Sequence, residues 1–175
     1  GKAVLLAAAK QTEHELARVH GLWGIWQLAN DNIANAADLV PFLQDENVEV
    51  RAQAAKIIGD VRYDEAGAEL IPLLKDESAR VRFFAAEALG RTAEKTAVQP
   101  IIEMLAVNND EDAYLRHAGS LALARIGEAE PILALADSPN RGLRIAAVVA
   151  LRRLQHPGIA IFLQDSDEFV VTETA

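Results

Sequence analysis

The sequence predicts an all-α chain of about five helical hairpins and a truncated sixth, stacked side by side as an α-α superhelix. Three observations predict this fold class. One type of segment recurs in register, the recurrence has the length of two short helices, and no stretch alternates apolar and polar residues as a half-exposed strand does. Because 51% of the 175 residues are hydrophobic, the hairpins can share one core.

The repeat is defined by five segments that align without gaps on an arginine. They are 17–28, 50–61, 81–92, 115–126 and 143–154, aligned on Arg18, Arg51, Arg82, Arg116 and Arg144. Successive arginines lie 33, 31, 34 and 28 residues apart, which suits a pair of short helices. We therefore predict the second helix of each hairpin at these segments, within a single repeat domain over 1–175 that is part of a longer protein.

An apolar segment precedes each aligned segment and predicts the first helix of the hairpin. Four of these segments contain a proline, Pro41, Pro72, Pro100 or Pro131, so we expect the first helices to begin or bend there. The turn between the two helices is rich in Asp, Glu, Asn and Ser, which cap helix N-termini. The second helices should therefore begin in these turns.

The recurring pattern resembles HEAT repeats, in particular the short HEAT-like units of phycobilisome lyases, over roughly residues 2–175. The resemblance implies an armadillo-like α-solenoid with second helices on the concave side. It also implies a ladder of hydrogen bonds between neighbouring repeats, formed by acid and base pairs six residues apart: Asp45 and Arg51, Asp76 and Arg82, Asp110 and Arg116. Thr12 and Ser138 replace the aspartate, and Val171 the arginine, so we expect weaker pairing at both ends.

A helical wheel at 100° per residue separates two faces of each second helix. Positions 3, 4, 6, 7 and 10 after the aligned arginine are small or apolar and form the core stripe, whereas position 5 lies opposite it and includes Lys56 and Glu87. We expect Trp23 on the concave surface and Trp26 where repeats meet, unless a first helix or neighbouring unit covers Trp26. The predicted partner surface consists of Val19, Trp23, Trp26, Phe83, His117, Leu121, Ile145 and Val149.

Composition and motifs favour no chemical site. The chain has no cysteine, which excludes thiolate zinc sites and covalent c-type haem within these residues. The segment "HELAR" at 14–18 has Arg18 where a zinc-protease helix needs its second histidine. A net charge of −9 disfavours nucleic acid and anionic membranes, and the longest apolar runs are far shorter than the roughly 20 residues of a membrane span. We expect no catalytic residues, metal, cofactor or small-molecule ligand.

The leading functional hypothesis is therefore a non-enzymatic scaffold that docks a protein or an adjacent domain of its own chain. The runs "RVHGLWGIWQLA", "VRAQAAKIIGD", "VRFFAAEALG" and "YLRHAGSLAL" resemble the HEAT segment of large predicted bacterial dehydrogenase-like proteins with a c-type haem domain. This resemblance implies an exported protein whose haem lies in other domains. Two alternatives are a bilin lyase, with Lys56, Glu87 and His117 on its inner face, and a HEAT-like DNA glycosylase using Trp23 and Arg153.

Overall fold

A computed structural model describes all 175 residues of the chain and contains helices but no strands. Five long helices lie at the five aligned segments, and a short terminal helix lies at the truncated sixth repeat. They are α2 (Glu15–Asp31), α3 (Val48–Val61), α5 (Ala79–Arg91), α7 (Ala113–Ile126), α9 (Arg141–Leu154) and α10 (Glu168–Thr174). Fold class and repeat architecture are therefore as the sequence predicted.

The first helices of the hairpins are shorter, and most of them are wholly or partly 3-10 helices. They are α1 (Lys2–Lys10), the 3-10 helix Ile33–Gln44, α4 (Gly67–Leu70) with Ile71–Lys75, α6 (Val98–Asn108), α8 (Ala129–Leu133) with Ala134–Asp137, and Pro157–Gln164. Pro72 lies where α4 changes to 3-10 geometry, and Pro100 lies in the first turn of α6. Proline lacks an N–H and disfavours a continuous α-helix before it, so these helices stay short.

Side chains in the polar turns cap the second helices. Asn47 accepts hydrogen bonds from the amides of Glu49 and Val50 at the start of α3. Asp112 and Asp167 do the same at the starts of α7 and α10. These caps satisfy N–H groups that have no partner inside the helix, which fixes where each second helix begins.

The core lies between the first and second helices of the hairpins. Leu22 and Ile25 of α2, and Ile58 of α3, are completely buried, as the core stripe of the wheel requires. Close packing of α1 on α2 depends on Gly21, where a Cβ atom would lie 2.6 Å from the backbone nitrogen of Ala9. The second helices also pack on each other, α2 on α3 and α7 on α9.

The chain divides into two compact units, Gly1–Ala88 and Leu89–Ala175, with the boundary inside α5. Both are built from the same hairpins, and the single repeat domain expected from the sequence stays a prediction. None of the helices combines the length and the apolar character that crossing a lipid bilayer requires.

Candidate functional site on the open face of the second helices

The open face is the side of the second helices that points away from the first helices, around position 5 after the aligned arginine. Trp23 is 44% exposed there, while Leu121 and Val149 are half-buried. Phe83 is half-buried and His117 is exposed. The structure therefore leaves most of the predicted partner surface accessible, including its largest side chain.

Two residues of the predicted partner surface are buried instead. Val19 is 6% exposed and Ile145 is 1% exposed, and both stand at position 1 after the aligned arginine. The wheel describes a lone helix, whereas here α2 packs against α3 and α9 against α7. In α2 and α9 the neighbouring second helix covers position 1, whereas Phe83 and His117 at the same position stay accessible, so exposure of Val19 and Ile145 was wrongly predicted.

Trp23 is held in place by polar contacts across α2 and α3. Its indole N–H donates a hydrogen bond of 3.0 Å to Gln53 Oε1, and its ring lies 5.1 Å from the ring of His20. Gln53 in turn donates to Glu49 Oε1 at 2.8 Å. An exposed apolar ring with a fixed orientation is ready for contact, because little side-chain freedom remains to be lost on binding.

The same network continues onto α5 through Glu49. Arg80 donates to both oxygens of Glu49, at 3.0 and 3.1 Å, and its guanidinium lies 5.0 Å from the centre of the Phe84 ring. Burial by itself would raise the pKa of Glu49, but hydrogen bonds from Arg80 and Gln53 outweigh it and hold that pKa below its usual range. Sequence reasoning missed these four residues, although positions 2 before and 2 after the aligned arginine border position 5 on the wheel.

Trp26 lies half-buried at the junction with the following repeat. The ammonium group of Lys56 lies 5.8 Å from the centre of its ring, within the range of a cation–π interaction. Its indole nitrogen is buried and has no hydrogen-bond partner. In α3 the same position of the repeat is Gly59, where a Cβ would lie 2.7 Å from Cα of Ala88, so this position faces the next second helix.

The ladder arginines connect neighbouring repeats as the resemblance implied. Arg51 donates from Nε and Nη2 to the carboxylate of Asp76 in the next repeat, at 2.8 and 3.1 Å. Its Nη1 donates at 2.8 Å to the backbone carbonyl of Asp45 in its own repeat. The guanidinium group of Arg51 thus joins two repeats, and it is nearly buried together with the carboxylate of Asp76. A buried bidentate contact of this kind fixes the spacing between the repeats.

Pairing is complete at both ends of the chain, contrary to the expectation of weaker ends. Arg18 donates with both Nη atoms to the carboxylate of Asp45, and Arg144 donates from Nε to Asp165 at 2.7 Å. The aspartate that matters is that of the following repeat, which is present in both cases. Replacement of the aspartate by Thr12 therefore leaves Arg18 with its partner.

The ladder is interrupted in its interior, at Arg116. The following repeat has Ser138 at the aspartate position, and Arg116 pairs with Asp110 of its own repeat instead. Its side chain is 32% exposed, against 9% for Arg18 and 13% for Arg144. The serine thus leaves one guanidinium group of the ladder facing outwards.

A cavity of about 330 Å³ opens beside Arg116 in the second unit. It is lined from α7, α9 and α10 by Ala113, Arg116, His117, Ile145, Val149, Arg152, Arg153, Phe169 and Glu173. Three guanidinium groups thus face one carboxylate in a chain whose net charge is −9. The sequence singled out His117, Ile145 and Val149 of this set as part of the partner surface, from their positions 1 and 5 after the aligned arginine.

No group of three or more His, Asp or Glu side chains is arranged to hold a metal ion. The two sites described are a fixed aromatic surface around Trp23 in the first unit and the cationic cavity in the second. Each of these sites can bind a partner through apolar contact and charge.

Comparison with known proteins agrees with the repeat architecture. The sequence model of HEAT repeats matches residues 36–113. No curated protein sequence matches the chain. The fold is that of HEAT-like and armadillo-like α-solenoids, which are typical of protein-interaction scaffolds.

Three solved structures share this fold. The complex of CpcE and CpcF of phycocyanin lyase from Nostoc sp. PCC7120 is 21% identical with a TM-score of 0.69, over 99% of this chain and 74% of that one. An archaeal HEAT-like repeats protein from Thermococcus onnurineus NA1 is 15% identical with a TM-score of 0.65, over 99% and 77%. A designed armadillo repeat protein in complex with the peptide (KR)4 is 18% identical with a TM-score of 0.57, over 98% and 95%.

Proposed function

We propose that this chain is a non-enzymatic interaction module that docks a protein, or an adjacent domain of its own chain, on the open face of its second helices. The observation that carries the proposal is Trp23. A tryptophan 44% exposed and held by Gln53 is the kind of rigid aromatic side chain that dominates protein interfaces. Solenoids of this kind present extended surfaces of repeated helices, which suits the same use.

Photo-cross-linking tests the proposal. A benzophenone amino acid replaces Leu16, which lies on the open face of α2 and is 75% exposed. In cells that naturally produce the protein, we expect one defined adduct, identified by mass spectrometry as a protein or another domain of the same chain. The matched control places the probe at Ile33, which is 46% exposed on a first helix of the same unit.

The role of Trp23 is tested in the same experiment. Trp23→Ala should reduce the adduct at position 16 at least tenfold, since a central aromatic contact contributes about 2 kcal/mol or more at an interface. An unchanged adduct in Trp23→Ala, or equal adducts from positions 16 and 33, would contradict docking on this face.

We propose further that the docked domain belongs to a larger, haem-containing dehydrogenase-like protein. The support is the resemblance of 18–29, 50–60, 81–90 and 114–123 to the HEAT segment of such proteins. The coding sequence on either side of this chain tests the proposal directly, because it should encode a CxxCH motif. The full-length protein should also stain for haem. A parent gene without a CxxCH motif, or a full-length protein that does not stain, would overturn the proposal.

A bilin lyase is the second candidate, favoured by the fold likeness to the CpcE and CpcF complex and by the polar, aromatic lining of the cavity. If the chain is a bilin lyase, the purified protein should bind free bilin and shift the absorbance of the bilin. A spectrum unchanged at saturating bilin would leave the interaction module as the sole proposal.

A further inference from the structure

The cavity in the second unit carries positive charge that the protein itself does not neutralise. Arg152 pairs with Glu173 at 3.2 Å, but Arg153 is exposed and has no carboxylate partner. His117 of α7 also lines the cavity and is exposed. Since charges are screened beyond about 8 Å at physiological ionic strength, this local excess, rather than the net charge of −9, governs contacts at the cavity.

Beside this excess, Ser138 leaves the guanidinium group of Arg116 partly exposed at the cavity. Three other aligned arginines are fixed by the next repeat's aspartate: Arg18 by Asp45, Arg51 by Asp76 and Arg144 by Asp165. Ser138 provides no carboxylate, and its hydroxyl accepts a hydrogen bond from the amide of Asn140 at 3.2 Å. Arg116 keeps a single ion pair, with Asp110, and lines the cavity.

The rest of the lining is apolar. Ile145 and Val149 line the cavity from α9, and Phe169, which is 45% exposed, lines it from α10. A volume of about 330 Å³ lies at the lower end of the range of ligand sites, so the cavity accommodates one or two side chains. A bare inorganic anion would use the guanidinium groups and leave this apolar wall uncovered.

We propose that the cavity binds an acidic segment of a partner protein, in which a Glu or Asp side chain lies next to a bulky apolar side chain. The carboxylate contacts Arg116 and Arg153, and the apolar side chain packs on Phe169 and Val149. This inference deepens the proposed interaction function and rests on it. Charge complementarity identifies the partner, because a buried carboxylate needs the guanidinium donors that this wall supplies.

Fluorescence anisotropy on the purified chain tests the proposal with three labelled hexapeptides. Each contains two phenylalanines, and the other four residues are glutamate, glutamine or lysine. We expect the glutamate peptide to bind at least tenfold more tightly than the other two. Equal binding of the glutamine peptide would overturn the proposal, and so would competition by inorganic phosphate as effective as that by unlabelled glutamate peptide.

Arginine variants locate the binding. Arg153→Gln should weaken the glutamate peptide about tenfold, which is a typical effect of losing one charged contact in a site. Arg62→Gln is the matched control, because Arg62 is exposed at the end of α3 in the other unit and its loss changes the net charge equally. Equal weakening by both variants would show a nonspecific charge effect and overturn the site.

Ser138→Asp tests whether Arg116 contributes to the cavity, without removing any cavity residue. Its carboxylate should draw Arg116 into the ladder, so that thermal stability rises while affinity for the glutamate peptide falls about threefold or more. A variant that is more stable yet binds unchanged, or one that shows neither effect, would overturn the role assigned to Arg116.

The two proposals fail in distinguishable ways. If the probe at position 16 captures a partner but the glutamate peptide does not bind, only the acidic-segment inference fails. If the glutamate peptide binds as expected and position 16 yields no adduct, docking at Trp23 fails while the cavity stands.

Discussion

At the residue scale, the aligned arginine is the side chain that joins one repeat to the next. Arg51 donates at once to the carboxylate of Asp76 and to the carbonyl of Asp45. Both carboxylate and guanidinium are nearly buried, so removing one leaves the other without compensation. Such pairs specify the spacing of repeats more than they add stability.

Asp76→Asn should therefore lower the free energy of unfolding by about 1–3 kcal/mol, because Arg51 loses a charged acceptor in a nearly dry site. Urea unfolding at pH 7 measures the effect. Glu77→Gln is the matched control: Glu77 lies 3.6 Å from the same Arg51, but its side chain is 83% exposed. Its effect should stay within about 0.5 kcal/mol, and equal losses in both variants would contradict the argument.

Asp165 makes this pairing sensitive to pH. Burial alone would raise the pKa of Asp165, but hydrogen bonds from Arg144 and from the amide of Asp167 lower it. The folded-state pKa therefore lies below the unfolded value of about 3.9. Above the unfolded pKa, the ionised carboxylate stabilises the fold. This contribution is lost as the pH falls through the lowered, folded-state pKa.

Unfolding free energies measured between pH 6 and 3 should thus fall less steeply in Asp165→Asn than in the unmodified protein. Glu111→Gln removes an exposed carboxylate from the same unit and provides the control. Identical pH slopes in Asp165→Asn and the unmodified protein would contradict the assignment.

At the scale of the element, the residue at the contact between two second helices determines how closely they pack. Position 8 after the aligned arginine is Gly59 in α3 and Gly90 in α5, and a Cβ at Gly90 would lie 2.6 Å from Cα of Ala122. In α2 the same position holds Trp26, beside Lys56 of the next helix. Absence of a side chain lets the helices approach, so these glycines serve packing.

Gly59→Ala tests that role through the sign of its effect. Helix propensity alone would make alanine more stable by about 1 kcal/mol. The overlap with the backbone of Ala88 should instead lower the free energy of unfolding by about 1–3 kcal/mol. Denaturant unfolding followed by circular dichroism measures this difference, and a more stable variant would refute the close approach.

At the scale of the whole molecule, charge sets the class of partner. A net charge of −9 gives little long-range attraction to nucleic acid, although one cavity is locally cationic. The chain should therefore not retain duplex DNA at submicromolar concentration in 50 mM salt. Binding that weakens steeply with added salt and is reduced in Arg153→Gln would contradict this and favour the glycosylase alternative.

The periodic signals made much of the molecule predictable from sequence. The aligned arginines located the second helices, and the wheel placed Leu22 and Ile25 in the core and Trp23 outside it. Both predictions depend on the 3.6-residue turn of a helix, and this periodicity can be read directly from a sequence. The wheel could not predict the burial of Val19 and Ile145, since that depends on a second helix lying alongside.

By itself, the sequence determined an all-α repeat chain with one apolar stripe per helix and an arginine in register in each hairpin. Only the tertiary structure decided which carboxylate each arginine meets, and therefore that Ser138 leaves Arg116 without a ladder partner while the ends are intact. It also brought Arg153, His117 and Phe169 around one cavity. The physical reason is that helix periodicity is fixed along the chain, whereas ion pairs and cavities form between helices that are distant in sequence.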